Sequence, residues 1–125
     1  MASLTVPFPL PRLNDVIRAA KIHWSLYATE KDEHTRKVHI LARAARLRPV
    51  VGPVRVLFQW YPPNWRVDLD NLSAGGQKCI LDGLVAAGVL PGDGPKWVIA
   101  LTHEYIALDR QTPHVVVSWQ ETVAA

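Results

Sequence analysis

Proline is the residue that most constrains this chain. Its ten prolines fall in clusters, at Pro7, Pro9 and Pro11, at Pro49 and Pro53, at Pro62 and Pro63, at Pro91 and Pro95, and at Pro113. Each cluster fixes φ and removes a backbone donor, so no helix or central strand can run through it. What remains is a set of short segments, each long enough for one element. Ser3–Val6 is β-like and stops at the first prolines. Residues 15–28 fit either a helix or a basic loop. Thr29 to about Leu47 reads as a helix, with Thr29 as N-cap and Asp32 and Glu33 in the first turn. On its wheel Val38, Leu41, Ala42 and Ala45 share one side, opposite Arg36, Arg43 and Arg46, and the alanines imply close packing on a sheet. Val54–Trp60 alternates as a half-buried strand. Asn71–Ala87 carries the buried stripe Ile80, Leu81, Leu84 and Val85, and Gly75 and Gly76 move the expected start of the regular helix to about Gln77. Gly88 suits a C-terminal cap. Trp97–Ile106 and His114–Trp119 read as two strands joined as a hairpin through Asp109–Pro113. The expectation is a single α+β domain over residues 1–125: β-α-β-α-β-β, with a mixed sheet covered by two helices.

Composition bounds the function. With 49% hydrophobic and 20% charged residues in 125, one soluble core fits and two do not. No window approaches about 18 uninterrupted apolar residues, so a membrane partner is not expected. The N-terminal MASLTVPFPLPRLND lacks the basic stretch and apolar run of a signal peptide. The single cysteine, Cys79, permits no internal disulfide and reads as a small buried residue. The expectation is a cytoplasmic protein. Net charge is +3, but residues 1–66 carry +7 and residues 67–125 carry −4. That asymmetry fits a polyanion-binding region beside a concentration of carboxylates, and it fits equally a basic solvated face.

The most unusual stretch is RVDLDNL, Arg66–Leu72. In an extended segment Asp68 and Asp70 point to the same side and repel unless a cation sits between them. Hard divalent cations take carboxylate oxygens, and Asn71 can add a carbonyl. The alternative is that Asp70 caps the helix and Asp68 is solvated. Asp93, in the turn Leu90–Pro95, is either a third ligand or a turn aspartate made ordinary by Gly94. A straight helix of about 15 residues is roughly 22 Å long, so Asp70 and Asp93 can meet only if the helix is shortened and the turn folds back. Lys78 either pairs with Asp82 at i+4 or holds phosphate near a metal.

These residues resemble the RusA family of Holliday junction resolvases, common in phages and prophages. The matching elements are Asp68-Leu-Asp70-Asn71-Leu72, then Lys78, Asp82-Gly-Leu84, Ala87-Gly88 and Asp93. The proline-rich entry Pro7–Asn14 is also similar. The specific motifs cover residues 66–97. Two departures stand out: the segment Ser73–Gly76 lengthens the stretch before Lys78, and the family's acidic pair in the turn is Gly92-Asp93 here. The resemblance implies a homodimer that cuts four-way DNA junctions in pairs with Mg²⁺ or Mn²⁺. Asp68, Asp70 and Asp93 would be the metal-binding catalytic carboxylates, and Lys78 the catalytic lysine. DNA would be held by Arg12, Arg18, Lys21, Arg36, Arg43 and Arg66, with Trp65 stacking on bases. Two readings stand beside it: a non-catalytic junction-binding protein that keeps the fold, and a nuclease of flaps or forks.

Other features carry less. Trp24 and Trp65 fall in expected loops, whereas Trp60, Trp97 and Trp119 belong to strands and suit a core or dimer interface. Histidines 23, 34, 39, 103 and 114 show no zinc spacing, and His103-Glu104 lacks the second histidine of a metalloprotease helix. Ser73–Lys78 lacks the spacing of a phosphate loop.

Overall fold

The computed structural model describes residues 2–10, 24–66 and 69–122, with the helical path alone described for residues 24–31 and 69–73. The elements are β1 (Ala2–Pro7), α1 (Trp24–Ala44), β2 (Val54–Tyr61), α2 (Leu69–Ala86), β3 (Val98–Tyr105) and β4 (His114–Glu121). This is the expected order, and the fold is α+β. The sheet runs β1-β4-β2-β3, with β4 antiparallel to both neighbours and β2 parallel to β3.

The expected hairpin is not formed. β4 inserts between β1 and β2, leaving β3 on the far side of β2. Burial explains the choice. β4 contributes Val115, Val117 and Trp119 to the core, all at most 3% exposed, so it needs a neighbour on each side. β3 leaves Ile99 and Leu101 partly in water and serves as an edge. Parallel neighbours require a long crossover, and α2 supplies it between β2 and β3.

One face of the sheet is apolar by alternation. Val54, Val56, Phe58 and Trp60 of β2 are buried, as are Leu4 and Val6 of β1. Val38 and Ala42 of α1, with Ile80, Leu81 and Leu84 of α2, complete the core. The alanine face of α1 packs on α2 rather than chiefly on the sheet. The reason is Gly83: a Cβ there would lie 2.5 Å from Val38 Cβ, so the helices approach at a position that lacks a side chain. Lys37, also on α1, donates to the carbonyls of Pro7 and Pro9, tying the proline entry to the helix.

Helix boundaries differ from expectation in three places. α1 begins at Trp24, so Thr29 is interior and not an N-cap, and Trp24 is helical rather than in a loop. It ends at Ala44, with Arg46 at φ 53°. α2 runs unbroken from Leu69 through Gly75 and Gly76. A Cβ at Gly76 would sit 2.7 Å from the Trp60 ring, so packing against the sheet outweighs the poor helix propensity.

The Gly88 cap is as expected. Gly88, at φ +79°, donates to Val85 O (3.0 Å), and Val89 donates to Leu84 O (3.0 Å). That is the Schellman pattern, with its usual apolar contact supplied here by the buried Val89 and Leu84. Val89 and Leu90 are drawn into the core, and the chain turns back toward the middle of α2.

Candidate active site

α2 is about 27 Å long and carries Asp70 in its first turn, Lys78 at its middle and Asp82 one turn later. Because the helix starts at Leu69, Asp70 lies inside the first turn and not ahead of it. Asp70 is therefore helical and not part of an extended segment. Asp68 lies outside the described residues, and only the backbone position of Asp70 is described.

The turn does fold back, as the three-acid arrangement required, while the helix is not shortened. Lys78 Nζ lies 3.0 Å from Asp93 Oδ2 and 3.1 Å from Asp82 Oδ1. The first contact spans 15 positions and exists because the Gly88 cap reverses the chain; the second is the expected i+4 pair. Lys78 and Asp93 thus come together. Asp70 stands eight residues before Lys78, about 12 Å along the axis, so Asp93 sits with the lysine and not with Asp70.

Electrostatics follow the geometry. The hydrogen bond that Lys78 donates to Asp93, then that to Asp82, raise the Lys78 pKa above its ordinary value, and Lys78 in turn lowers that of Asp93. Lys78 is more than half exposed, so the pair adds little stability. Replacing Asp93 by asparagine should bring the Lys78 pKa back toward the ordinary range, read by NMR titration of the lysine side chain. An unchanged value would mean that Asp82 alone sets the charge of Lys78.

The donor chemistry of Asp68, Asp70 and Asp93, all carboxylate oxygen, suits a hard divalent cation. Among the described residues no group of three or more His, Cys, Asp or Glu side chains stands together, and Asp93 is engaged by Lys78.

The expected DNA contacts divide. Arg12, Arg18 and Lys21 lie outside the described residues. Arg36 and Arg43 are exposed on α1, seven residues apart and so on one stripe opposite the buried Val38 and Ala42. Arg66 is exposed just before α2, its backbone N–H held by Asn64 Oδ1 at 2.9 Å. Trp65 is 60% exposed and leans on Tyr105, with ring centroids 6.1 Å apart. Trp60 and Trp119 are core residues and Trp97 is half-buried. Cys79 is buried, as expected.

Sequence reasoning set aside His103, yet it sits beside α2. It stacks on Phe58 at 4.6 Å, receives the Trp60 indole N–H at 3.0 Å and bonds Gln77 at 2.7 Å. Burial lowers its pKa. The signal was the parallel register that sets Phe58 opposite His103, and nothing local in the sequence reports a register.

Neither a family model nor a curated protein matches the sequence. Among the described residues no helix is long and apolar enough to cross a membrane.

Proposed function

We propose that this chain is a metal-dependent, structure-selective endodeoxyribonuclease that resolves four-way DNA junctions by paired incisions, acting in the cytoplasm as a homodimer. The observation that carries the reading is the return of Asp93 to Lys78, on the helix that carries Asp70 in its first turn. Lys78 and Asp93, two positions of the RusA-like pattern, are 15 residues apart and meet through a cap that the pattern itself contains, Ala87-Gly88. The exposed arginine stripe of α1 and the exposed Trp65 ahead of α2 support a nucleic-acid partner.

Asp68 and Asp70, joined by Asp93, would hold Mg²⁺ or Mn²⁺, which when bound supplies an activated water and neutralises the leaving oxygen. For Asp93 to join them it must part from Lys78, and the Leu90–Pro95 turn must move toward the start of α2. Lys78 is then a cation beside the substrate, still paired with Asp82, and it pairs with a backbone phosphate. A two-fold dimer presents two such sites to two symmetric strands.

The binding half of this proposal is tested without metal. In EDTA, affinity for a four-way junction should exceed that for linear duplex and fall steeply with salt. Arg36→Ala and Arg43→Ala should each reduce the slope of log K against log salt by about one phosphate contact. Equal affinity for junction and duplex, or a slope untouched by both substitutions, would contradict it.

A further inference from the structure

The contacts of His103 determine more than its own position. An indole nitrogen can only donate. Trp60 Nε1 lies 3.0 Å from His103 Nδ1, so Nδ1 must carry the lone pair and the ring proton must be on Nε2. That nitrogen is therefore a donor, and the Gln77 atom 2.7 Å from it is the carbonyl oxygen Oε1. The Gln77 amino group, with its two N–H donors, is left for a partner other than His103. The imidazole cannot turn away, because it lies flat against Phe58 (8° between planes) and its Nδ1 is held by the Trp60 indole N–H. Burial also disfavours the charged ring, whose Nδ1–H would oppose the indole N–H.

Gln77 is the neighbour of Lys78 and stands seven residues after Asp70. Two turns of helix return it to the face of Asp70, about 10 Å further along the axis. A DNA strand running along that face with one phosphate at Asp70 passes Gln77 with a later one.

We infer that Gln77 contacts a backbone phosphate of the bound DNA through its carboxamide N–H groups, and that His103 is a positioning residue which fixes the carboxamide's orientation. The inference rests on the nuclease reading above and names a substrate contact that the acidic motif does not contain. Asparagine at position 103 reproduces the acceptor that Trp60 needs but has no atom at the Nε2 position. Glutamine at 103 reproduces the Nε2 donor toward Gln77 but not the acceptor for Trp60. The two substitutions therefore separate support of the fold from the aim of Gln77.

The test is binding of a labelled four-way junction in EDTA by wild type, Gln77→Ala, His103→Asn, His103→Gln and the Gln77→Ala/His103→Asn double variant, with melting curves for each. Loss of a donor to a charged oxygen should weaken Gln77→Ala about tenfold. The salt slope should not change, because no charge is removed. His103→Asn should weaken binding by a similar factor in the wild-type background and add nothing in the Gln77→Ala background. His103→Gln should retain affinity even if it melts earlier. Gln77→Ala binding like wild type overturns the inference while leaving the nuclease reading intact, as does a His103→Asn effect of equal size in both backgrounds. Failure of wild type itself to prefer the junction overturns both.

Discussion

Asp70→Asn is expected to remove Mg²⁺-dependent cleavage of a four-way junction, by about a thousandfold or more, or ~4 kcal/mol of transition-state stabilisation. The substitution changes one oxygen to an amide nitrogen at nearly constant shape. It removes the charge that attracts the cation without opening a cavity. Asp70 sits in the first turn of α2, where helix stability gains only modestly from a carboxylate, so the melting temperature should barely move. Junction binding in EDTA should persist or tighten slightly, because a carboxylate facing phosphates is repulsive in the absence of metal. Cleavage by Asp70→Asn at near wild-type rate would place the chemistry elsewhere. Loss of binding along with cleavage would make Asp70 a structural residue of the DNA surface.

The largest stability effect is expected at Gly83. In an ordinary helix Gly→Ala stabilises by up to about 1 kcal/mol. Here the new Cβ would stand 2.5 Å from both Cβ and Cγ1 of Val38 and 3.0 Å from the Thr35 carbonyl oxygen, so α1 and α2 must move apart or Val38 must shift. Overpacking of this kind exceeds the propensity gain, and Gly83→Ala should cost about 2 kcal/mol, lowering Tm by roughly 8 °C. Val38→Ala, which removes the Cγ1 contact and keeps the Cβ one, should cost less in the Gly83→Ala chain than in wild type, a non-additive pair diagnostic of direct contact. Gly94→Ala, where an added Cβ meets nothing within 4 Å, should be close to neutral. A Gly83→Ala protein that melts like wild type would mean that the two helices do not meet at this position.

Local physics made much of this fold readable. Proline clusters bounded the elements, alternation in Val54–Trp60 marked a strand with one wet face, and Gly88 announced the cap that returns Asp93 to Lys78. Except at Thr29, the misreadings have a common cause, because each depends on a partner distant in sequence. Gly75 and Gly76 weaken an isolated helix, but Trp60 requires a bare backbone at Gly76, so the helix runs through them. Thr29 is a good cap in isolation, yet α1 starts at Trp24. His114–Glu121 could pair with β3 locally, but its apolar side chains require two neighbours, so the strand enters the middle of the sheet. His103 and Gln77 acquire their roles only when the parallel pairing of β2 and β3 lays the imidazole on Phe58 beside α2. In the candidate site Lys78, Asp82 and Asp93 were legible as types and spacings. That Lys78 holds both carboxylates, with Asp93 two helical turns from Asp70, was not.

The most direct test of the central claim is incubation of the wild-type protein with a labelled synthetic four-way junction in Mg²⁺, in Mn²⁺ and in EDTA, with linear duplex and flap substrates alongside. The nuclease account predicts paired, symmetric nicks in the junction in the presence of metal, none in EDTA, and little cutting of duplex or flap. Tight junction binding with no cleavage under either metal would contradict it, leaving a binding module in which Asp93 remains with Lys78 and the acids of the helix start hold no ion.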